Sequence, residues 1–132
     1  MLSVRIFKLD KKEVIEKLKN WAKKFSNYEN VLAVVLFGSL SRNEATPASD
    51  ADILILLKES NKRFDNRIPE FLPGGIGISV DVFPYTIDEF KRSIKENWGI
   101  GKVALNEGIV IYSSKNKEIE NFGEWFKRYE KE

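Results

Sequence analysis

The apolar residues of the chain form short runs, separated by segments in which they recur every three or four positions. The predicted strands are the runs at residues 31–37, 51–57, 78–83 and 109–112. The first two are almost uninterrupted, which indicates strands buried on both faces. The third alternates, so Val80 and Val82 fall on one face and Asp81 falls on the other.

Helices are predicted between and after these strands. Helical spacing or helix-start signals occur at residues 11–26, from 86, at 102–106, and from 117 to near the end. Thr86 followed by Glu89 has the form of a capping box. Without an internal repeat or a dividing linker, the pattern predicts one domain over residues 1–132. Its class is α/β (α+β), with a small mixed sheet of about four or five strands flanked by helices.

The residue types that are missing from the chain exclude several classes of catalysis and of metal site. The chain has no cysteine and no histidine, which excludes disulfides and the Ser-His-Asp and Cys-His classes of catalysis. Zinc prefers nitrogen and sulfur ligands, so a zinc site is not expected. A general base must then be Asp, Glu, Lys or Tyr. A metal must accept oxygen ligands, as magnesium and manganese do.

Charge and hydropathy limit the partners. The formal net charge of +2 is too small to indicate general capture of nucleic acid. The lysines at 11–26 are interpreted as a solvated helix face in preference to a binding patch. Because the sequence has neither an eighteen-residue apolar run nor a secretory signal, we expect a cytoplasmic protein without a membrane partner. The absence of glutamine hints at a thermophilic source.

Acidic residues within apolar strands are the main candidates for chemistry. Asp50 and Asp52 alternate at the start of the second strand, so their Cα atoms lie about 6.6 Å apart and their side chains share a face. Neighbouring carboxylates repel unless a cation or a shared proton lies between them. Asp50 alone is equally well explained as a turn or cap residue. Together with Asp52 and Asp81, however, it favours a metal site.

A Gly38-Ser39 turn directly follows the first strand. Glycine allows close approach to the backbone, serine adds a hydroxyl donor, and the start of a following helix favours anions. The turn is therefore a candidate phosphate cradle, although most Gly-Ser dipeptides are ordinary turns.

Taken together, these motifs resemble a known family. Gly38-Ser39, ten intervening residues and then Asp50-Ala51-Asp52 resemble the minimal nucleotidyltransferases of the DNA polymerase β superfamily. The loop from Arg42 to Asp50, the Val80-Asp81-Val82 strand and the ending Glu107–Tyr112 are similar to theirs as well. The likeness covers roughly residues 30–113. It is greatest to short prokaryotic members that are paired with a HEPN-domain toxin.

The resemblance implies a polymerase-β-like nucleotidyltransferase fold and Mg²⁺-dependent transfer of AMP from ATP onto a tyrosine of the toxin, which is an antitoxin role. Asp50 and Asp52 would hold two Mg²⁺ ions, with Mn²⁺ as an alternative. Asp81 would bind the metal nearest the attacking hydroxyl and help to deprotonate that hydroxyl.

The resemblance also implies the nucleotide-binding residues. Ser39 and the backbone of Gly38 would bind the outer phosphates. Arg42 would support the triphosphate or, equally, form a loop ion pair with Glu44. The family usually has glycine where Asn43 stands, and asparagine tolerates the positive φ that such a turn requires.

Three other functions are weighed against this one. The first is nucleotidyl transfer to a small-molecule hydroxyl, although such relatives usually carry an additional helical domain. The second is a non-catalytic antitoxin that acts by binding. The third is a nucleic-acid-binding domain, for which the sequence lacks interleaved basic and aromatic residues.

Overall fold

The computed structural model describes residues 11–38, 40, 51–115 and 127–128, the last two by their backbone alone. Five described strands form one mixed sheet in the order β3-β2-β1-β4-β5. The strands are β1 Val31–Phe37, β2 Ala51–Leu57, β3 Val80–Thr86, β4 Ile109–Ser113 and β5 Lys127–Arg128. β1 is antiparallel to both β2 and β4, whereas β2 pairs with β3, and β4 with β5, in parallel.

Helices pack against this sheet on its two faces. The helices are α1 Lys11–Lys23, α2 Phe64–Arg67, α3 Ile87–Glu96 and α4 Gly101–Glu107, with 3₁₀ turns at Lys24–Asn27 and Ile68–Glu70. β1 and β2 alternate between two apolar clusters, one containing residues of α1 and the other containing residues of α3 and α4. Val34, for example, belongs to the first cluster and Val35 to the second. The two central strands are therefore covered on both sides, as their apolar runs predicted.

Most predicted elements are confirmed, with shifted ends. β1 and β2 have the predicted bounds, and the capping box at Thr86 is present, with Glu89 N–H donating to Oγ1 of Thr86 over 3.1 Å. β3 starts and ends later than predicted. Its buried Pro84 is tolerated because β3 lies at an edge of the described sheet. The helix predicted from residue 117 is wrong at Lys127–Arg128, which pair with β4. Its other residues lie outside the described part of the chain.

A buried arginine ties the end of β3 to the start of α3. Arg67 is 5% exposed and donates to the Pro84 carbonyl over 2.9 Å and to Oε1 of Glu89 over 2.7 Å. Glu89 Oε1 also accepts from the Thr86 N–H over 2.8 Å. The hydrogen bond from Arg67 lowers the pKa of Glu89 below its ordinary value of 4.5, with the Thr86 bonds and the Arg67 charge acting in the same direction and burial opposing them.

This lowered pKa predicts an acid-sensitive contribution to stability. A carboxylate with a depressed pKa in the folded state stabilises the fold above its unfolded pKa, and that contribution is lost as the pH falls through the folded value. Glu89→Gln should therefore lower the free energy of unfolding at pH 7 by about 1–2 kcal/mol. Urea denaturation at intervals from pH 7 to pH 3 should show the difference from wild type shrinking below pH 4.5. Glu16→Gln, at an exposed position of α1, is the control and should change the free energy of unfolding at pH 7 little.

Within the described residues, no helix has the length and apolar character needed to cross a bilayer.

Candidate active site

Two of the predicted carboxylates lie next to each other on neighbouring strands. Asp52 of β2 and Asp81 of β3 are direct Cα partners in the parallel pair, so their side chains project from the same sheet face. It is the face to which Leu54 and Phe83 contribute, on the side of α3 and α4. The structure thus brings together two acidic residues that are 29 positions apart in the sequence.

The exposure of the two aspartates follows from their places in the sheet. Asp52 is the second residue of an otherwise buried strand and is half-buried. Asp81 is exposed and lies on β3, which is the outermost of the described strands on that side. Adjacent strands are about 4.8 Å apart. Two ionised carboxylates at such a distance repel by about 1 kcal/mol even when water screens them. An arrangement of this kind is favourable when a cation or a protonated group completes it.

The turn after β1 lies directly against Asp52. Phe37, the last residue of β1, is the Cα partner of Asp52, and Gly38 follows it with a φ of +84°. A Cβ added at Gly38 would overlap Oδ2 of Asp52 and would lie 3.2 Å from its Cγ. The position requires a left-handed φ and room for the Asp52 carboxylate. Glycine meets both requirements, because it adopts a left-handed φ at little cost and has no Cβ.

A third carboxylate, which the sequence did not assign to the site, lies on the other side of this turn. The Gly38 N–H donates a 3.0 Å hydrogen bond to Oε2 of Glu107, the last residue of α4. Glu107 is the first residue of the Glu107–Tyr112 motif. That motif was the signal available in the sequence, but it gave the glutamate no role.

The remaining predicted site residues lie outside the described part of the chain. These residues are Ser39, Arg42 and Asp50, and their roles stay predictions. Across residues 11–38, 40 and 51–115, no group of three or more acidic side chains is placed to hold a metal ion. Asp52 and Asp81 nonetheless provide paired oxygen donors of the type that Mg²⁺ prefers. Gly38 has no side chain and so leaves room for the Asp52 carboxylate.

A cavity of about 630 Å³ lies elsewhere in the molecule. Leu57 and Lys58 line it, at the end of β2 that is opposite to Asp52. Asp52 and Leu57 are five positions apart in β2, which corresponds to about 17 Å at the usual rise of a strand. The cavity is therefore distinct from the face that carries Asp52 and Asp81.

Comparisons with known proteins agree with this architecture. The family model described as the nucleotidyltransferase domain matches residues 14–130. A candidate nucleotidyltransferase from Sulfolobus solfataricus, solved at 1.40 Å, shares the fold with a TM-score of 0.52 and 18% identity, over 78% of this chain and 83% of that one. A toxin–antitoxin structure with AMP-PNP matches with a TM-score of 0.48 and 17% identity, over 86% of this chain and 81% of that one. No curated protein sequence matches significantly.

The family match covers most of the chain and includes every described strand. The predicted family and the predicted fold, a small mixed sheet flanked by helices, are thereby confirmed. The chain belongs to the nucleotidyltransferase domain family, whose reaction is nucleotidyl transfer.

Proposed function

We propose that this chain is a Mg²⁺-dependent nucleotidyltransferase that moves AMP from ATP onto a hydroxyl group. The proposed acceptor is a tyrosine of a HEPN-domain toxin, so that the chain acts as an antitoxin in the cytoplasm. The observation that carries the proposal is the direct pairing of Asp52 and Asp81 beside the Gly38 turn. The proposal treats residues 1–132 as a single catalytic domain.

The donor set fits divalent cations with oxygen ligands. Asp52 and Asp81, joined by Asp50, would hold two Mg²⁺ ions, or Mn²⁺ in their place. When bound, such ions neutralise the triphosphate and stabilise the entering and departing oxygens of an in-line displacement. The absence of histidine and cysteine from the chain agrees with a purely oxygen-donor site.

The residues of the chain would carry out the remaining steps. Asp81 has an exposed side chain, which an acceptor can approach, and its carboxylate would take the proton of the attacking hydroxyl. The hydroxyl oxygen then forms a bond to the α-phosphorus while the bond from that phosphorus to pyrophosphate breaks. Ser39 would bind the outer phosphates, and Arg42 would support the triphosphate from the following loop.

The protein acceptor is supported by the sequence resemblance to nucleotidyltransferases that are paired with HEPN toxins. Asp52 and Asp81 argue against a purely binding antitoxin, because directly paired aspartates are typical of a cation site, which a domain that only occludes a partner does not need. Transfer to a small molecule uses the same bond changes and differs only in the acceptor.

We expect label from [α-³²P]ATP to be transferred to a protein when the chain is incubated with Mg²⁺ and a lysate of its native host. The α-phosphate stays with the transferred AMP, so [γ-³²P]ATP is the matched control and should leave no label. Gel autoradiography separates labelled protein from labelled small molecules, and EDTA should abolish either signal. If only a small molecule were labelled, the acceptor would be that small molecule and not a protein. No transfer in the presence of the purified partner would contradict an enzymatic role.

A further inference from the structure

We propose that Glu107 is a positioning residue of the nucleotide site. Its carboxylate would fix the Gly38 N–H and thereby hold the turn that leads to Ser39 against Asp52. This inference deepens the proposed function and rests on it, since it assumes that the Gly38 turn serves a bound nucleotide.

The contact joins two elements that are distant in the sequence. Gly38 N–H and Oε2 of Glu107 are 3.0 Å apart, and their residues are separated by 69 positions. The acceptor belongs to a carboxylate and the bond is partly buried. A hydrogen bond with one charged partner is roughly twice as strong as a neutral one. The end of α4 therefore restrains the backbone where β1 passes into the turn.

The packing of α4 on β1 directs the glutamate to this place. Leu36 of β1 pairs with Ile109 of β4, so the two residues before Ile109 lie alongside the start of the turn. A Cβ at Gly108 would overlap the Ala104 carbonyl oxygen and lie 2.5 Å from Cγ1 of Val35. Glycine at this position thus allows the last turn of the helix to lie directly on the strand, with Glu107 next to Gly38.

The location is unfavourable for a carboxylate on local grounds. Glu107 is the last residue of α4, where the negative end of the helix dipole disfavours an acidic side chain. The side chain cannot serve as a cap either, because the groups left without partners at a helix C-terminus are carbonyls and a carboxylate only accepts hydrogen bonds. At this position the carboxylate accepts a hydrogen bond from the Gly38 N–H, which joins the helix end to the turn after β1.

The inference also changes the role of Gly38. The sequence predicted that the Gly38 backbone binds a phosphate, yet its N–H is directed to Glu107. Under this proposal Gly38 serves the nucleotide through its left-handed conformation and the space it leaves beside Asp52. The phosphate contacts then fall to Ser39 and to the residues that follow it.

The test compares Glu107→Ala with Glu107→Gln, whose amide oxygen can still accept the Gly38 hydrogen bond. Isothermal titration with Mg²⁺ and an ATP analogue that has a methylene group between its α and β phosphates measures the Kd. NMR of the nucleotide-free protein measures the exchange rate of the Gly38 amide hydrogen. Asn106→Ala, at an exposed neighbouring position of α4, is the matched control.

We expect Glu107→Ala to weaken analogue binding by about tenfold or more and to accelerate exchange of the Gly38 amide by a similar factor. Glu107→Gln should restore most of the affinity, and Asn106→Ala should behave as wild type. With the wild type binding normally, unchanged binding by Glu107→Ala would overturn the inference. Tighter binding would overturn it too and would indicate that the carboxylate competes with phosphate. Failure of the wild type itself to bind would instead count against the proposed function.

Discussion

Asp52→Asn is expected to lower the rate of AMP transfer by at least about a hundredfold. The amide has nearly the shape of the carboxylate but carries no charge, so it cannot neutralise a divalent cation beside Asp81. The folded state should be about as stable as wild type, because asparagine keeps the size and the hydrogen-bonding oxygen of this half-buried side chain. Loss of activity without loss of stability is the signature of a side chain placed for chemistry.

Initial rates of labelling from [α-³²P]ATP, at several Mg²⁺ concentrations, provide the measurement. Asp65→Asn is the matched control, because Asp65 is an exposed aspartate that pairs with the exposed Arg63 over 3.6 Å and lies in α2. It should retain the wild-type rate, since exposed ion pairs contribute little. A variant of Asp52 with more than about a third of wild-type activity would contradict the proposed role.

The strands that carry this chemistry were predictable because their hydrophobic pattern is strong and local. β1 and β2 have the predicted bounds because they are nearly continuous apolar runs in the centre of the sheet. Strand periodicity put Asp81 on the face opposite to Val80 and Val82, but it did not show that this is the face of Asp52. The direct pairing of the two aspartates did not follow either, because the register of two parallel strands depends on the connection between them and on packing, which a local pattern does not encode.

The features that the sequence did not predict share a physical cause: each depends on contacts with distant parts of the chain. β5 consists of two residues that gain strand geometry only by pairing with β4, so their local helical pattern was overridden. Glu107 was read as part of a motif, but its contact with Gly38 depends on how α4 packs on β1. A glutamate at the end of a short helix is common, and only the fold shows which backbone N–H it accepts from.

Gly38→Ala is expected to lower the transfer rate by at least about a hundredfold and to destabilise the fold by at least about 1–2 kcal/mol. The stability term comes from forcing a non-glycine residue to a φ of +84°. The loss of activity comes from the overlap of the new methyl group with Oδ2 of Asp52, which must displace the carboxylate or the turn. A displacement of about 1 Å at a reacting centre is enough for a hundredfold effect.

Gly75→Ala separates these two causes. Gly75 has a similar φ of +71°, but a Cβ there would meet no atom within 4 Å. This control should therefore lose a comparable strain energy, measured by urea denaturation, while keeping its activity. If both variants lost activity equally, strain alone would explain the result and the contact with Asp52 would have no special role.

A double-mutant cycle tests the contact itself. Asp52→Ala removes the oxygen that the Gly38 methyl group would meet, and the Asp52 Cβ that remains is 3.4 Å from the new atom. In the Asp52→Ala background, Gly38→Ala should therefore lower the free energy of unfolding only by the conformational strain. The difference between its effects in the two backgrounds measures the steric contribution of the Asp52 carboxylate. An additive cycle would mean that the carboxylate moves aside freely. That result would contradict close packing of the Asp52 carboxylate against Gly38.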